Sequence, residues 1–232
     1  MEVSAVAIAN YLLCHSNSLL AHRFPECDKF VHVKLFPLFL KLQDRRCLVV
    51  GAGTIAEGKI AGLLDTGARL TVVAPQATPQ VLQWAKSSKI EYLQRAFETN
   101  DLDGMFLVVA STSDSGLHRR IFAEAQKRVI LCNVVDVPEL CDFYYPAVVQ
   151  RGSLQIAVST SGESPALAQR LRKELETQFG PEYEAWLETL AVARAALQAN
   201  KTLDPEERKR RLHALVTEEA FAAYRQGHRS GR

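Results

Sequence analysis

The stretch from Arg46 to Pro75, RCLVVGAGTIAEGKIAGLLDTGARLTVVAP, holds a short apolar run, a glycine-rich turn, a helical pattern and a second apolar run. Cys47 to Val50 is apolar at every position, as a strand buried on both faces requires. Gly51-Ala52-Gly53 follows directly. Glycine's freedom at positive φ lets the chain turn sharply there and bring N–H groups close to an anion such as a pyrophosphate. Ala56 takes the place of the third glycine in G-x-G-x-x-A, where a small residue lets helix and strand pack closely. Ile55, Ala56, Ile60, Leu63 and Leu64 give the helix an apolar face, Gly67 is expected at its C′ position, and Leu70 to Ala74 return as a second buried strand. The glycine pattern alone also fits a plain turn in an α/β protein that binds no nucleotide. The order strand, turn, helix, strand around it points to a dinucleotide-binding βαβ unit.

Outward from this unit the alternation continues. Strands are expected at Ile90 to Gln94, Phe106 to Ala110 and Val129 to Val134, and helices at Thr54 to Asp65, Pro79 to Ser87 and Ser115 to Lys127. Leu35 to Leu42, LFPLFLKL, leads in. The order βαβαβ followed by αβ predicts an α/β protein with a Rossmann-like, doubly wound parallel sheet, whose ligand sits outside the carboxyl ends of the strands at the switch point. The positions there are Gly51 to Ile55, Ala74 to Gln76, Ala110 to Asp114 and Asn133 to Asp136. A different texture begins near Cys141. Leu154, Ile156 and Val158 alternate as in a half-exposed strand, and Ser164-Pro165 reads as an N-cap with proline at N1. The helix that follows, to about Phe179 and closed by Gly180, carries Leu167, Leu171 and Leu175 as a stripe. Two further helices are expected at Glu182 to Ala199 and Asp204 to Tyr224. The strand and its helix have too little apolar surface to stand alone, so they are expected to pack on a second subunit.

The 232 residues carry a formal net charge of +2 and a pI of 8.3, which gives no strong field for nucleic acid or an anionic membrane. From Lys201 onward eight Lys or Arg stand against five Asp or Glu, so the local excess is +3, and Arg208 to Arg211 reads as a solvated helix face. Five cysteines, at 14, 27, 47, 132 and 141, show no C-x-x-C and fit a disulfide framework poorly, so a reducing cytoplasm is the expected setting. Cys47 and Cys132 sit in strand contexts, where buried inert thiols are expected. No apolar run reaches the roughly 18 residues of a membrane span. Val3 to Leu13 is apolar, but Glu2 precedes it, no Lys or Arg appears before Arg23 and no A-x-A-like site follows, which argues against a signal peptide.

For chemistry, Asp136 in Cys132-Asn-Val-Val-Asp-Val-Pro138 is the carboxylate best placed at a strand end to act as a general acid or base. An Asp two residues before a proline is also an ordinary turn former, and position alone does not separate the two roles. Asp114 reads as the N-cap of the next helix rather than as a catalyst. His118, Arg119 and Arg120 are expected on the surface of that helix. Arg151, Arg170, Arg172 and Lys173 suit a pocket for a polycarboxylate, since guanidinium groups match carboxylates bidentately. Ser159, Thr160 and Ser161 lie in a loop that runs to Ser164 and a helix N-terminus, which is either an anion site or a capped turn. The second strand ends Val73-Ala74-Pro75-Gln76, without the acid that usually holds a ribose hydroxyl and without a base for a 2′-phosphate. No metal-ligand spacing is present.

These residues resemble the precorrin-2 dehydrogenases of siroheme biosynthesis, a family also found as the N-terminal module of multifunctional siroheme synthases. The resemblance covers about Lys34 to Glu176. It rests on Leu35-Phe-Pro-Leu-Phe-Leu-Lys-Leu42, Cys47 to Lys59, Gly67 to Pro75, Asn133-Val-Val-Asp136, Phe143-Tyr-Tyr-Pro146, Arg151-Gly-Ser-Leu154 and Val158 to Pro165. It implies NAD-dependent oxidation of precorrin-2, a tetrapyrrole, to sirohydrochlorin in a homodimer, and in some members insertion of ferrous iron at the same site. Asp136 falls on the family's catalytic aspartate. Thr54, Ile55, Pro75 and Gln76 fall on positions that contact NAD, largely through backbone, which suits the absent ribose acid. Gly51, Gly53, Ala110, Ser111 and Asn133 complete the expected cofactor set, and Arg151, Ser159, Thr160, Ser161 and Arg170 the expected substrate set.

The expected organisation is thus an extension at 1–33, an NAD-binding Rossmann domain at 34–146, a dimerisation region at 147–180 and a C-terminal helical region at 181–232. Residues 1–33 lie outside the resemblance. Val33-Lys-Leu-Phe-Pro resembles the usual opening of these enzymes, and an alternative start codon is read as valine in a conceptual translation. The first 32 residues are therefore expected to be loosely packed or absent in the native protein. The rival reading is a nicotinamide-sensing or dimerisation module without turnover, which has no need of a carboxylate at Asp136.

Overall fold

The computed structural model describes residues 34–229, and the expectation for residues 1–32 lies outside them. Two units divide the chain, 1–38 and 39–232. Of the first, Lys34 to Leu38 are described and form neither helix nor strand.

The second unit is built on five parallel strands, β1 (Arg46–Val50), β2 (Arg69–Val73), β3 (Glu91–Leu93), β4 (Leu107–Ala110) and β5 (Leu131–Val134), in the order β3-β2-β1-β4-β5. Helices α1 (Thr54–Leu64), α2 (Pro79–Lys86) and α3 (Ser115–Lys127) cross between them. Alternation along β1 divides the core. Cys47 and Val49 face Ala56, Ile60 and Leu63 of α1 and Val81 of α2, whereas Leu48 and Val50 face Ile121 and Ala125 of α3 and Leu102 of a 3-10 turn. Because both faces are covered, β1 and β4 are apolar without a polar alternate. The strand order reverses between β1 and β4, so their carboxyl ends frame a crevice.

Beyond the sheet lies an antiparallel pair, β6 (Ala147–Arg151) and β7 (Leu154–Val158), then α4 (Pro165–Gln178), α5 (Glu182–Ala199), α6 (Pro205–Ala214) and α7 (Glu218–Arg229). Strand β6 is an addition to the sequence reading. Ala147 and Val149 are buried while Val148 and Gln150 are exposed, so it has the alternation of a one-sided strand. The single helix expected over Asp204 to Tyr224 is instead two, because the Thr217 hydroxyl accepts the Ala220 N–H at 3.2 Å and starts a new helix. Gly67 lies one residue later than expected. Asp65 caps α1, and Gly67, at φ 74°, closes the turn with its N–H donating to the Leu64 carbonyl at 3.1 Å. Tyr183 and Trp186 of α5 stack on Phe221 of α7, with ring centroids 4.6 and 4.4 Å away. Among the described residues no helix is long and apolar enough to cross a membrane.

Candidate active site

Gly51 knots three strand ends together. Its N–H donates to the Val73 carbonyl at 2.9 Å, the Ser111 N–H donates to the Val50 carbonyl at 2.8 Å, and its φ is 107°. A Cβ at Gly51 would collide with the Ser111 carbonyl oxygen, so only glycine fits. Gly53 differs: its φ of −84° is open to any residue, and a Cβ there would meet nothing within 4 Å. The open space lies in front of the α1 N-terminus, where Gly53 offers no side-chain cap. The first N–H groups of the helix, with exposed Thr54 and Ile55 beside them, are therefore left for an external acceptor. By contrast, Thr78, Asp114 and Ser164 cap α2, α3 and α4 with their own side chains. Together, the fixed turn, the space at Gly53 and the uncapped helix end fit a dinucleotide pyrophosphate.

Pro75 and Gln76 are exposed at the end of β2, and Ala74 is held by the Tyr92 hydroxyl, which donates to its carbonyl at 2.9 Å. Arg95, just past β3, is clamped by Asp101 through two hydrogen bonds of 2.9 and 2.6 Å. Burial opposes ionisation of Asp101, but the Arg95 guanidinium and the Glu98 N–H hold its carboxyl below the usual range. On the other side of the crevice Ala110 is buried and Ser111 half-buried. Asp114 is the expected cap, accepting the Gly116 and Leu117 N–H groups at 2.8 and 3.0 Å. His118, expected on the surface, is buried instead, with Nε2 2.9 Å from the Thr112 hydroxyl. It faces inward beside Ile121 on α3 and ties the loop after β4 to that helix.

Asp136 follows β5 in a turn closed by the Val137 N–H donating to the Val134 carbonyl at 3.2 Å. Its φ is 61°, a left-handed conformation that Asp tolerates and bulkier residues resist. The exposed carboxylate borders a cleft of about 160 Å³ that also meets Lys59, Asn133, Cys141, Tyr144 and Tyr145. One wall of this cleft is strapped to β5. The Asn133 amide donates to the Phe143 carbonyl at 2.8 Å, and the Cys132 N–H donates to the Asp142 carboxylate at 2.9 Å. The Cys141 thiol donates toward the Val134 carbonyl at 3.1 Å. Asn133, expected among the cofactor contacts, is thus buried with its amide engaged inside the protein.

Lys59 escaped the sequence reading. It stands beside the buried Ala56 and Ile60 on α1, and its ammonium lies 3.7 Å from the centre of the Tyr145 ring. Partial burial lowers its pKa, while Asp136 and then Cys141 act to raise it. Its place on the helix was readable from spacing; its partner was not, because Tyr145 reaches it only when the segment after β5 folds back.

The expected substrate residues lie in the β6, β7 and α4 unit. Arg151 donates to the Phe179 and Glu176 carbonyls at 2.9 and 3.0 Å, so its guanidinium clasps the end of α4. Arg170 and Arg172 pair with Glu174 and Glu176 one turn on, at 3.2 and 2.7 Å. Ser159 and Thr160 accept the Ser161 and Ser164 N–H groups, each at 3.1 Å, which makes the loop a capped turn, with Ser159 and Ser161 exposed. Among the described residues no group of three His, Cys, Asp or Glu side chains is placed to hold a metal.

A family model described as putative NAD(P)-binding matches residues 38–147, and one described as sirohaem biosynthesis protein central matches residues 151–178. Siroheme synthases from Methylobacillus flagellatus and Thioalkalivibrio sulfidiphilus are each 44% identical, over 65% and 61% of this chain and 32% and 29% of their own. The chain spans about a third of the length of these curated relatives. Among solved structures, SirC, a precorrin-2 dehydrogenase, superposes with a TM-score of 0.70 at 27% identity, over 80% of this chain and 92% of that one. The nucleotide turn, the strand order and the Asp136 cleft thus stand in a chain that is similar to the precorrin-2 dehydrogenase SirC and to part of the siroheme synthases.

Proposed function

We propose that this protein oxidises precorrin-2 to sirohydrochlorin with NAD as the acceptor. The observation that carries the reading is the placement of Asp136: a carboxylate held in a left-handed turn at the end of β5, on the same rim of the sheet as the uncapped N-terminus of α1. The nicotinamide dinucleotide, when bound, supplies the hydride acceptor. The Gly51 to Ile55 turn would hold its pyrophosphate through backbone N–H groups, and Pro75, Gln76, Ala110 and Ser111 would line the rest of its site along the strand ends. Asp136 is the base for the proton that the macrocycle releases as the hydride leaves. One hydride and one proton leave the macrocycle, and one double bond forms.

The preference for NAD over NADP is supported by Arg95. It is the basic side chain just beyond β3, and Asp101 already occupies its guanidinium bidentately, which leaves it poorly suited to clamp a 2′-phosphate. A homodimer is supported by the α4 stripe. Leu167 is 39% exposed, and Leu171 and Leu175 are only half-buried. Exposed Ser159, Ser161 and Arg170 remain candidates for substrate contacts, whereas Arg151 is proposed to position α4.

An anaerobic assay of the full chain with precorrin-2 tests the reading by following reduced cofactor and sirohydrochlorin together. NAD is expected to support turnover at least tenfold better than NADP. Absence of turnover with both cofactors would favour the nicotinamide-sensing alternative. Ferrous iron added after the dehydrogenation step reads out the second activity that the family resemblance implies for some members.

A further inference from the structure

Lys59 is a cation in the Asp136 cleft whose contact is the face of an aromatic ring. The Tyr145 ring centre lies 3.7 Å from its ammonium, Asp136 and Cys141 act on it electrostatically, and among the described residues no carboxylate is at ion-pair distance. An ammonium has three N–H donors, and a ring face satisfies at most one of them. The side chain is half-buried, so water replaces the missing acceptors incompletely.

Its position is fixed from two directions. Lys59 projects from α1 beside the buried Ala56 and Ile60, and Tyr145 packs on Phe143 with ring centroids 5.6 Å apart. Phe143 is in turn held by the Asn133 amide through its carbonyl at 2.8 Å. A preorganised, incompletely paired cation that opens onto a cleft with a nearby general base is arranged to receive an anion from outside. A carboxylate on Lys59 would leave the ring that bears it beside Asp136.

We propose that Lys59 anchors a peripheral carboxylate of the tetrapyrrole in the Asp136 cleft and so places the reacting edge of the macrocycle against the base. This inference rests on the precorrin-2 reading for the identity of the substrate. Binding of a polycarboxylate porphyrin tests it without turnover. Uroporphyrin is titrated into the full-length wild type, Lys59→Met and Lys59→Arg, with fluorescence quenching as the readout and NAD affinity measured in parallel. Methionine keeps the apolar stem over Tyr145 and removes the charge.

Lys59→Met should bind uroporphyrin about tenfold more weakly, Lys59→Arg within a few-fold of wild type, and both should bind NAD normally. With precorrin-2, Lys59→Met should raise KM more than it lowers kcat. Equal uroporphyrin affinity in wild type and Lys59→Met, or no binding by wild type, would overturn the assignment. So would an unchanged KM with a shifted pH profile of kcat, which would mean that Lys59 acts through Asp136. Failure of the precorrin-2 reading shows separately, as wild-type protein that binds the porphyrin but does not turn over precorrin-2.

Discussion

Asp136 combines a reactive group with a backbone conformation, at φ 61°, that costs most residues on the order of 1–3 kcal/mol and that Asp and Asn adopt readily. Asp136→Asn should therefore keep the turn, the thermal stability and NAD affinity while lowering kcat by about 10²-fold or more. A β-branched substitution would confuse lost chemistry with a strained turn. The two motif glycines separate in a similar way. Gly51→Val meets the Ser111 carbonyl and a positive φ, and is expected to melt well below wild type. Gly53→Val has free space and should fold, but lose NAD binding as titrated by fluorescence. Burial pushes the Cys47 thiol up to about 11 and the Cys132 thiol up to about 12. Brief alkylation of the native protein at pH 8, read by peptide mass, should leave both unmodified. By linkage, these thiols add no pH dependence below about pH 9. Above it stability falls toward pH 12, because the unfolded chain releases protons that the folded chain retains.

At the scale of elements, the parts legible in the sequence were those whose signals are local. The helix at Ser115–Lys127 and the βαβ unit follow from periodicity and caps a few residues apart. Strand β6 was missed because its alternation, from Ala147 to Arg151, carries meaning only once β7 pairs with it. His118 was misplaced because the apolar face of α3 leaves room for one histidine whose partner, Thr112, comes from the loop that precedes the helix. The Asp136 carboxylate was legible as a strand-end position. Lys59 was not, since its meaning depends on Tyr145 returning over β5. Arg151 gives a test of element-level assembly. Its bonds to the Phe179 and Glu176 carbonyls join the hairpin to α4, so Arg151→Met should cost about 2 kcal/mol of stability and leave NAD affinity intact. A rise in KM for precorrin-2 at unchanged melting temperature would instead assign Arg151 to the substrate.

For the whole molecule, the sheet provides the cofactor rim, and the segment after β5 provides a strapped wall that completes the cleft. The hairpin and α4 carry apolar surface that one chain leaves partly uncovered. Light scattering at micromolar concentration should therefore give twice the 25.8 kDa chain mass. A monomer would contradict that proposal and leave the cofactor site unaffected. The dinucleotide turn and Asp136 are proposed to carry one dehydrogenation together. The decisive measurement is the stoichiometry of an anaerobic single turnover, with precorrin-2 and excess NAD, in wild type and Asp136→Asn. Wild type should form one reduced NAD for each sirohydrochlorin, and the variant should bind NAD without forming product. Wild-type protein that binds NAD yet yields no reduced cofactor, or an Asp136→Asn protein that turns over at the wild-type rate, would contradict that joint role.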